Sequence, residues 1–326
     1  MLITLQMKLK EKRNMITYSF VIPHHNTPDL LQRLVDSIPQ RDDIEIIVVD
    51  DNSDNDKKAN ICRSDVKIIY IDKAHTRGAG HARNIGMDAA IGKWLLFPDA
   101  DDFYKPGFIS VLDEYKDDDI EILYFNMDSV DNETMESLTG TRYNRARVVQ
   151  SIVGEYDGSF QKGEEVRYLS FGPWRKMLLH TFVNKYGMKY EEISRGNDGF
   201  FNLQTAYFVK QFKVDKRILY CNTRRMGSIV YGKTTKQRYI DDINRNWHIY
   251  RFLKYIGHQD WNRNCIKGRY YFSPIKYLYR CFRKEPIVGI HAISFFLTHF
   301  KELYHNRDKY VEIVKEMDRN LIVEEV

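Results

Sequence analysis

Five short apolar runs recur along the first 125 residues, and helical stretches fall between them. This alternation is what most constrains the fold. Tyr18 to Ile22 and Ile44 to Val49 are β-rich, and Pro28 to Ile38 between them has helical spacing through Leu30, Leu31, Leu34, Val35 and Ile38. Val66 to Ile71 reads as a third strand, Gly80 to Ile91 as an Ala-rich helix, Lys93 to Pro98 as a fourth strand and Ile120 to Phe125 as a fifth. Runs that are apolar on both faces and separated by helices predict an α/β fold, a Rossmann-like, mostly parallel sheet with helices on both faces.

In such a sheet ligands bind beyond the carboxyl ends of the strands. Acidic clusters stand directly after two of the predicted strands: Asp50-Asp51-Asn52-Ser53 after the second and Asp99-Ala100-Asp101-Asp102 after the fourth. Both are expected to face one crevice. Two carboxylates one residue apart on a turn can converge on one hard cation, whereas the alternation of a strand would send neighbours to opposite faces. Asp99 and Asp101 therefore suit a divalent cation, Mn²⁺ or Mg²⁺, that neutralises a departing diphosphate. Asp51 can accept a hydrogen bond from a nucleobase N–H. Arg83 and Asn84 sit near a helix N-terminus, where anions are favoured.

Farther on, Asp198 follows Gly196 and Asn197 at a predicted helix start, and a carboxylate there can take a proton from an attacking hydroxyl. Each of these residues has an ordinary reading when taken singly. D-x-D is then a solvated acidic turn, Asp51 an Asx turn, Arg83 a surface ion-pair residue and Asp198 a helix N-cap. Their shared placement at one edge of the predicted sheet gives the set its meaning.

Other chemistries fit less well. Gly78-Ala-Gly80 opens like a dinucleotide fingerprint, but Arg83 occupies the third glycine's place and the run follows the third strand. Asp50 to Asp56 imitates a calcium loop, with Asn55 in place of the turn glycine and Ile61 in place of the bidentate Glu. A nucleotidyltransferase would want a Gly-rich, Arg-bearing loop where Pro23-His-His-Asn26 stands. The four cysteines form no C-x-x-C pair, and a net charge of +5 does not argue for nucleic acid.

Taken together, Ser19 to Asn26, Val48 to Ser53, Arg83-Asn-Ile-Gly86, Trp94 to Asp102, Trp174-Arg-Lys176 and Asn197-Asp198 resemble, in order and spacing, the family 2 glycosyltransferases with the A-type fold. The resemblance covers roughly residues 16 to 230. It implies inverting transfer of a sugar from a nucleotide diphosphate donor, a UDP-sugar above all, to a saccharide or lipid-linked saccharide acceptor in polysaccharide or glycolipid assembly. On it, Pro23, His25, Asn26, Asp51, Arg83, Asn84, Asp99 and Ala100 would border the donor, with Asp51 on the base and Asp99 on the ribose or the metal. Asp101 would hold the metal, Trp174 and Asn197 would lie on the acceptor side, and Asp198 would be the catalytic base. The chain departs from the pattern at His25, where an aromatic residue is usual, and at Asn197, where Glu is usual. The competing reading is a non-catalytic nucleotide-sugar-binding or scaffold protein that keeps the fold.

The resemblance divides the chain into a tail over 1–15, a catalytic domain over 16–230 with halves at 16–128 and 129–230, and a mainly helical extension over 231–326. In the extension, Arg263, Lys267, Arg269, Lys276, Arg280, Arg283 and Lys284 run without an intervening acid among six aromatic residues. Basic plus aromatic predicts an anionic surface, here the inner membrane face, with Ile287 to Phe300 as an amphipathic helper. The alternative packs this segment on the catalytic domain or on a second copy of the chain, as a homo-oligomer. No apolar run approaches the roughly 20 residues of a spanning helix, so the expected location is cytoplasmic, peripheral to the membrane.

Overall fold

The computed structural model describes residues 15–138, 145–169, 172–193, 196–225, 236–258, 278–279, 282–283 and 286–324. The N-terminal tail through Asn14 and most of the basic, aromatic run, including Arg263, Lys267, Arg269, Lys276, Arg280 and Lys284, lie outside the described residues. The chain divides into two compact units, one of residues 1–192 and 201–226, the other of 193–200 and 227–326.

The first unit is built on an eight-stranded sheet. Its strands are β1 (Tyr18–His24), β2 (Ile44–Asp51), β3 (Val66–Ile71), β4 (Trp94–Leu96), β5 (Phe103–Tyr104), β6 (Ile122–Asp131), β7 (Lys176–Leu179) and β8 (Phe212–Arg224), in the order β3-β2-β1-β4-β7-β6-β8-β5. The β3-β2-β1-β4 half is parallel throughout. β7 enters antiparallel between β4 and β6, β6 and β8 run parallel, and the two-residue β5 closes the far edge antiparallel to β8. The mostly parallel α/β sheet predicted above is thus present, with antiparallel strands added.

Helices α1 (Pro28–Ser37) and α2 (Ala79–Asp88) follow the sequence rules directly. Pro28 opens α1, where its missing N–H costs nothing, and Leu31, Leu34 and Val35 point one stripe into the core. α2 carries Gly86, where a side-chain Cβ would stand 2.4 Å from Val21 Cγ1 and 3.2 Å from Val49 Cγ2, so the helix lies directly on β1 and β2. β1 and β2 are buried almost end to end, whereas β3 is half exposed because it forms the sheet edge. Four further helices complete the first unit's connections: α3 (Phe108–Asp113), α4 (Arg145–Gly154), α5 (Phe160–Leu169) and α6 (His180–Lys185).

α7 (Asp198–Phe208) begins among the residues counted with the second unit and ends among those of the first. The described residues of the second unit are otherwise mainly helical, with α8 (Lys236–Tyr255), α9 (Pro286–His305) and α10 (Lys309–Glu324). Its small core gathers Ile243, Leu278, Phe296 and Leu303, and Phe200 stacks on Tyr310 at 3.9 Å.

Candidate active site

Three adjacent parallel strands deliver their carboxyl ends to one edge of the sheet. β1 ends at His24, whose register partner on β2 is Asp50, and β4 on the other side of β1 leads through Phe97 and Pro98 to Asp99. Asp51, His25, Asn26 and Asp99 therefore emerge together because the strands are parallel.

A buried pair fixes the first two loops. The His24 ring donates through Nδ1 to Asp50 Oδ2 at 2.9 Å while Nε2 accepts the Thr27 amide at 3.2 Å, an arrangement that needs the neutral ring. Burial holds His24 below its ordinary pKa, against the pull of Asp50. Burial would raise Asp50, but the Ala59 and Ser53 amides and the His24 ring keep it below the usual carboxylate range. Above this pair the loops are stitched directly. His25 Nδ1 meets the Asp51 carbonyl at 2.9 Å, the Asn26 amide donates to Ser53 Oγ at 2.9 Å, and Asn26 Oδ1 accepts the Asp54 amide at 2.8 Å. Asn26 and Asn52 both take positive φ, +58° and +56°, which asparagine tolerates better than most residues.

The Asp51 carboxylate accepts the Thr76 hydroxyl at 2.7 Å and the Gly78 amide at 2.9 Å. Gly78 caps α2 with φ +85°, so the helix start is tied to Asp51. Five residues on, Arg83 reaches from the same helix to Asp99 with an Nη2–Oδ1 distance of 2.5 Å, and its guanidinium lies 5.3 Å from the Tyr190 ring centre. Asn84 bonds the backbone of that tyrosine: its Oδ1 accepts the Tyr190 amide at 2.8 Å and its Nδ2 donates to the Tyr190 carbonyl at 3.0 Å. Pro23 lies in β1, paired with Val49, and Ala100 is buried within the acidic turn.

Asp99, Asp101 and Asp102 each offer a carboxylate oxygen within 4.8 Å of the others. They are not equivalent. Asp102 is fully buried, and both its oxygens are occupied: Tyr220 Oη donates at 2.6 Å, the Thr223 amide at 2.7 Å, and Asn222 Nδ2 at 3.0 and 3.1 Å. Burial, reinforced by the Asp101 and Asp99 charges, pushes Asp102 well above the usual carboxylate range. Asp99 and Asp101 are partly exposed; Arg83 pairs with the first and Arg225 with the second. Arg33 and Thr223 hold the Asp101 carbonyl. The donor chemistry therefore fits a hard cation at Asp99 and Asp101, with Asp102 as the buried anchor of the turn.

Trp174 is 4% exposed and lies parallel to Tyr220 at 5.8 Å, inside the core that backs the turn. Sequence reasoning missed Tyr220, Asn222, Thr223 and Arg225, all from β8 or the residue after it; the only signal was the apolar run Ile218 to Cys221. In the second unit, Asn197 is buried and Asp198 half-buried in the first turn of α7. Gly196 takes φ +69° and a Cβ there would strike Arg245, so this turn is closely packed on α8.

Comparison with known proteins follows the same line. Residues 19–175 match the model described as Glycosyl transferase family 2. The chain is 24% identical over 303 residues to a GalNAc(5)-diNAcBac-PP-undecaprenol beta-1,3-glucosyltransferase of Campylobacter jejuni, spanning 86% of this chain and 91% of that one. It is 26% identical over 224 residues to the glycosyltransferase GlyG of Streptococcus pneumoniae, spanning 65% and 72%. In fold it is similar to S. aureus TarS 1-349 in complex with UDP-GlcNAc, with a TM-score of 0.56 and 15% identity over 95% of this chain and 90% of that one. With the acidic turn and the parallel half-sheet both inside the matched segment, residues 19–175 carry the glycosyl transferase family 2 pattern, and the relatives support a transferase enzyme of that kind.

Proposed function

We propose that this glycosyltransferase moves a sugar from a UDP-sugar to an acceptor hydroxyl with inversion, in polysaccharide or glycolipid assembly. The observation that carries the reading is the shared sheet edge, where one short helix is bonded both to Asp51 through Gly78 and to Asp99 through Arg83. A carboxylate has about four acceptor positions. Two at Asp51 are taken by Thr76 and Gly78, which leaves room for a base N–H. His25 and Asn26 border the base, with Pro23 beneath them, and Ala100 lies beside the ribose.

Asp99 and Asp101 would hold a divalent cation, Mn²⁺ or Mg²⁺, which when bound supplies neutralising charge to the diphosphate. Arg83 adds a fixed positive charge at the same place, and Asn84 positions the helix through Tyr190. Asp198 takes the proton of the acceptor hydroxyl as its oxygen forms the new bond to the anomeric carbon; the bond from that carbon to the diphosphate breaks, and a single displacement inverts the centre. Trp174 acts on the acceptor side through the Tyr220 ring, and Asn197 sits beside the base. Support for a nucleotide-sugar donor comes from fold neighbours whose structures contain UDP and UDP-GlcNAc. Support for a lipid-linked acceptor comes from the Campylobacter relative, whose name specifies a polyprenyl diphosphate saccharide.

The test is a melting-temperature titration with UDP, with and without Mn²⁺, followed by UDP release from candidate donors. Ligands that bind only the folded state raise the melting temperature by mass action. Metal-dependent stabilisation lost in Asp101→Ala, and turnover lost in Asp198→Asn with UDP binding intact, are the expected results. Full activity in Asp198→Asn removes that residue from its role.

A further inference from the structure

Helix α9 presents apolar side chains on two sides. Phe296 and Leu303 turn inward on Ile243 and Leu278, with Ile293 and Phe295 packed beside them. Ile290, Leu297 and Tyr304, seven residues apart, share a line along the helix, with Ile287 and Phe300 close to it. All five are exposed, Ile287 at 74% and Leu297 at 70%. From Pro286 to Phe300 the helix carries no Asp, Glu, Lys or Arg. Gly289 lets the backbone of Phe282 lie against it, since a Cβ there would stand 2.3 Å from Phe282 Cα. The exposed Phe282 and Arg283 are therefore held at the start of this helix.

Charge decides what covers this face. The chain leading into α9 carries seven cations from Arg263 to Lys284 with no acid among them. A second copy carries the same excess of positive charge in the sequence ahead of this helix and is disfavoured as its cover, whereas an anionic surface is attracted. None of the described helices is long and apolar enough to cross a membrane. An exposed apolar line with the exposed Arg283 at its start, on a helix that follows a cationic stretch of sequence and is too polar overall to span, has the make-up of a helix that lies in the plane of the headgroups.

We infer that the outward face of α9, with Phe282 and Arg283 at its start, docks the enzyme on an anionic lipid bilayer. The surface is independent of the donor site: none of its residues takes part in the sugar-transfer reading. The test uses the full chain with vesicles of neutral phosphatidylcholine alone or mixed equally with phosphatidylglycerol, in low and high salt. Cosedimentation with the anionic vesicles in low salt, at least tenfold weaker on neutral vesicles and in high salt, is the expected result. The double variant Ile290→Glu, Leu297→Glu should lose binding at least tenfold while keeping the parent's melting temperature and its rate of UDP release. Lack of binding to anionic vesicles in low salt overturns the inference, as does binding that the double variant leaves intact. A stable dimer of the parent chain that the double variant converts to monomer overturns it as well, because the face is then covered by a second copy.

Discussion

The hydroxyl of Tyr220 donates to Asp102 Oδ2 at 2.6 Å while accepting the backbone amide of Asp99 at 3.0 Å, so one phenol joins the two ends of the acidic turn. The carboxylates proposed to hold the cation are thus aimed by a residue that does not itself reach it. Tyr220 is in turn fixed by Trp174, parallel at 5.8 Å, and by Tyr104, edge-on at 5.2 Å.

Tyr220→Phe keeps both ring contacts and deletes the two hydrogen bonds, leaving a buried carboxylate with one donor fewer. Such a loss costs roughly 1–3 kcal/mol. A lower denaturant midpoint and weaker Mn²⁺-dependent stabilisation by UDP are expected together. An unchanged Mn²⁺ titration in the variant would show that Tyr220 does not position the turn.

Arg83 makes a second, separable prediction. Its side chain is 6% exposed, against 31% for Asp99, so removing the guanidinium takes a cationic partner from a partly desolvated carboxylate. For Arg83→Ala the cost is on the order of 2 kcal/mol, below that of a fully buried pair because Asp99 keeps water access. Arg83→Lys preserves the charge but not the planar group held 5.3 Å from the Tyr190 ring. Its stability should fall less than that of Arg83→Ala, while the donor KM rises severalfold in both. Equal donor KM values in parent and Arg83→Ala would mean that this arginine only braces the helix.

The parallel half of the sheet was legible because each of its strands is a contiguous apolar run, buried in β1, β2 and β4, although β3 at the sheet edge is half exposed despite its apolar sequence. In the other half only β6 was, through the apolar run Ile120 to Phe125. β7 begins at Lys176, which is fully buried and donates through Nζ to Asn202 Oδ1 at 2.5 Å, so its hydropathy contradicts its position. β8 mixes exposed and buried residues over thirteen positions without regular alternation, and its first half, Phe212 to Arg217, shows no apolar run. Its pairing with β6 and β5 is set by partners some 90 to 120 residues away, and that information is absent from any short window. The same cause hid the scaffold of the site: Asp99, Asp101 and Asp102 announce themselves as a cluster, but the strand that holds Asp102 in place is recognisable only once β8 is paired. Asp102 also shows why identity does not give role. Three neighbouring aspartates read alike in sequence, and the third is distinguished by Tyr220, Asn222 and Thr223.

Gly86 tests a different part of the motif. A methyl at this position would meet Val21 at 2.4 Å, on the strand beneath the helix. Gly86→Ala should therefore destabilise by roughly 1–3 kcal/mol despite the better helix propensity of alanine. Gly154, at the end of α4, has no atom within 4 Å of an added methyl, and Gly154→Ala should be neutral or slightly stabilising. Chemical denaturation of the two variants checks both, and equal midpoints would refute the close approach of α2 to β1.

Two buried histidines predict how stability responds to acid. Burial, helped by the nearby Lys309 charge and opposed by the Asn306 carbonyl and Asp308, pushes His248 down to about 4, and its ring lies 4.9 Å from Tyr310. His24 is lowered by burial too, and its ring is committed to Asp50 and Thr27. A histidine whose folded pKa is depressed refuses a proton that the unfolded chain accepts. Its contribution is therefore complete above the unfolded value of about 6.5 and is lost as pH falls toward the folded value. For His248 the window runs from about 6.5 to about 4, which amounts to roughly 3 kcal/mol at the acid end. His24 acts with the same sign over the same upper limit, whereas the lowered pKa of Asp50 delays its own loss to pH below the ordinary carboxylate range. Melting temperature should accordingly be flat from pH 8 to 7 and drop progressively below about 6.5. His248→Phe keeps an aromatic ring beside Tyr310 and removes the titrating group, so it should show a shallower drop between pH 6.5 and 4.5 than the parent. A variant that loses as much stability as the parent over that interval would show that proton uptake at His248 contributes nothing to acid sensitivity.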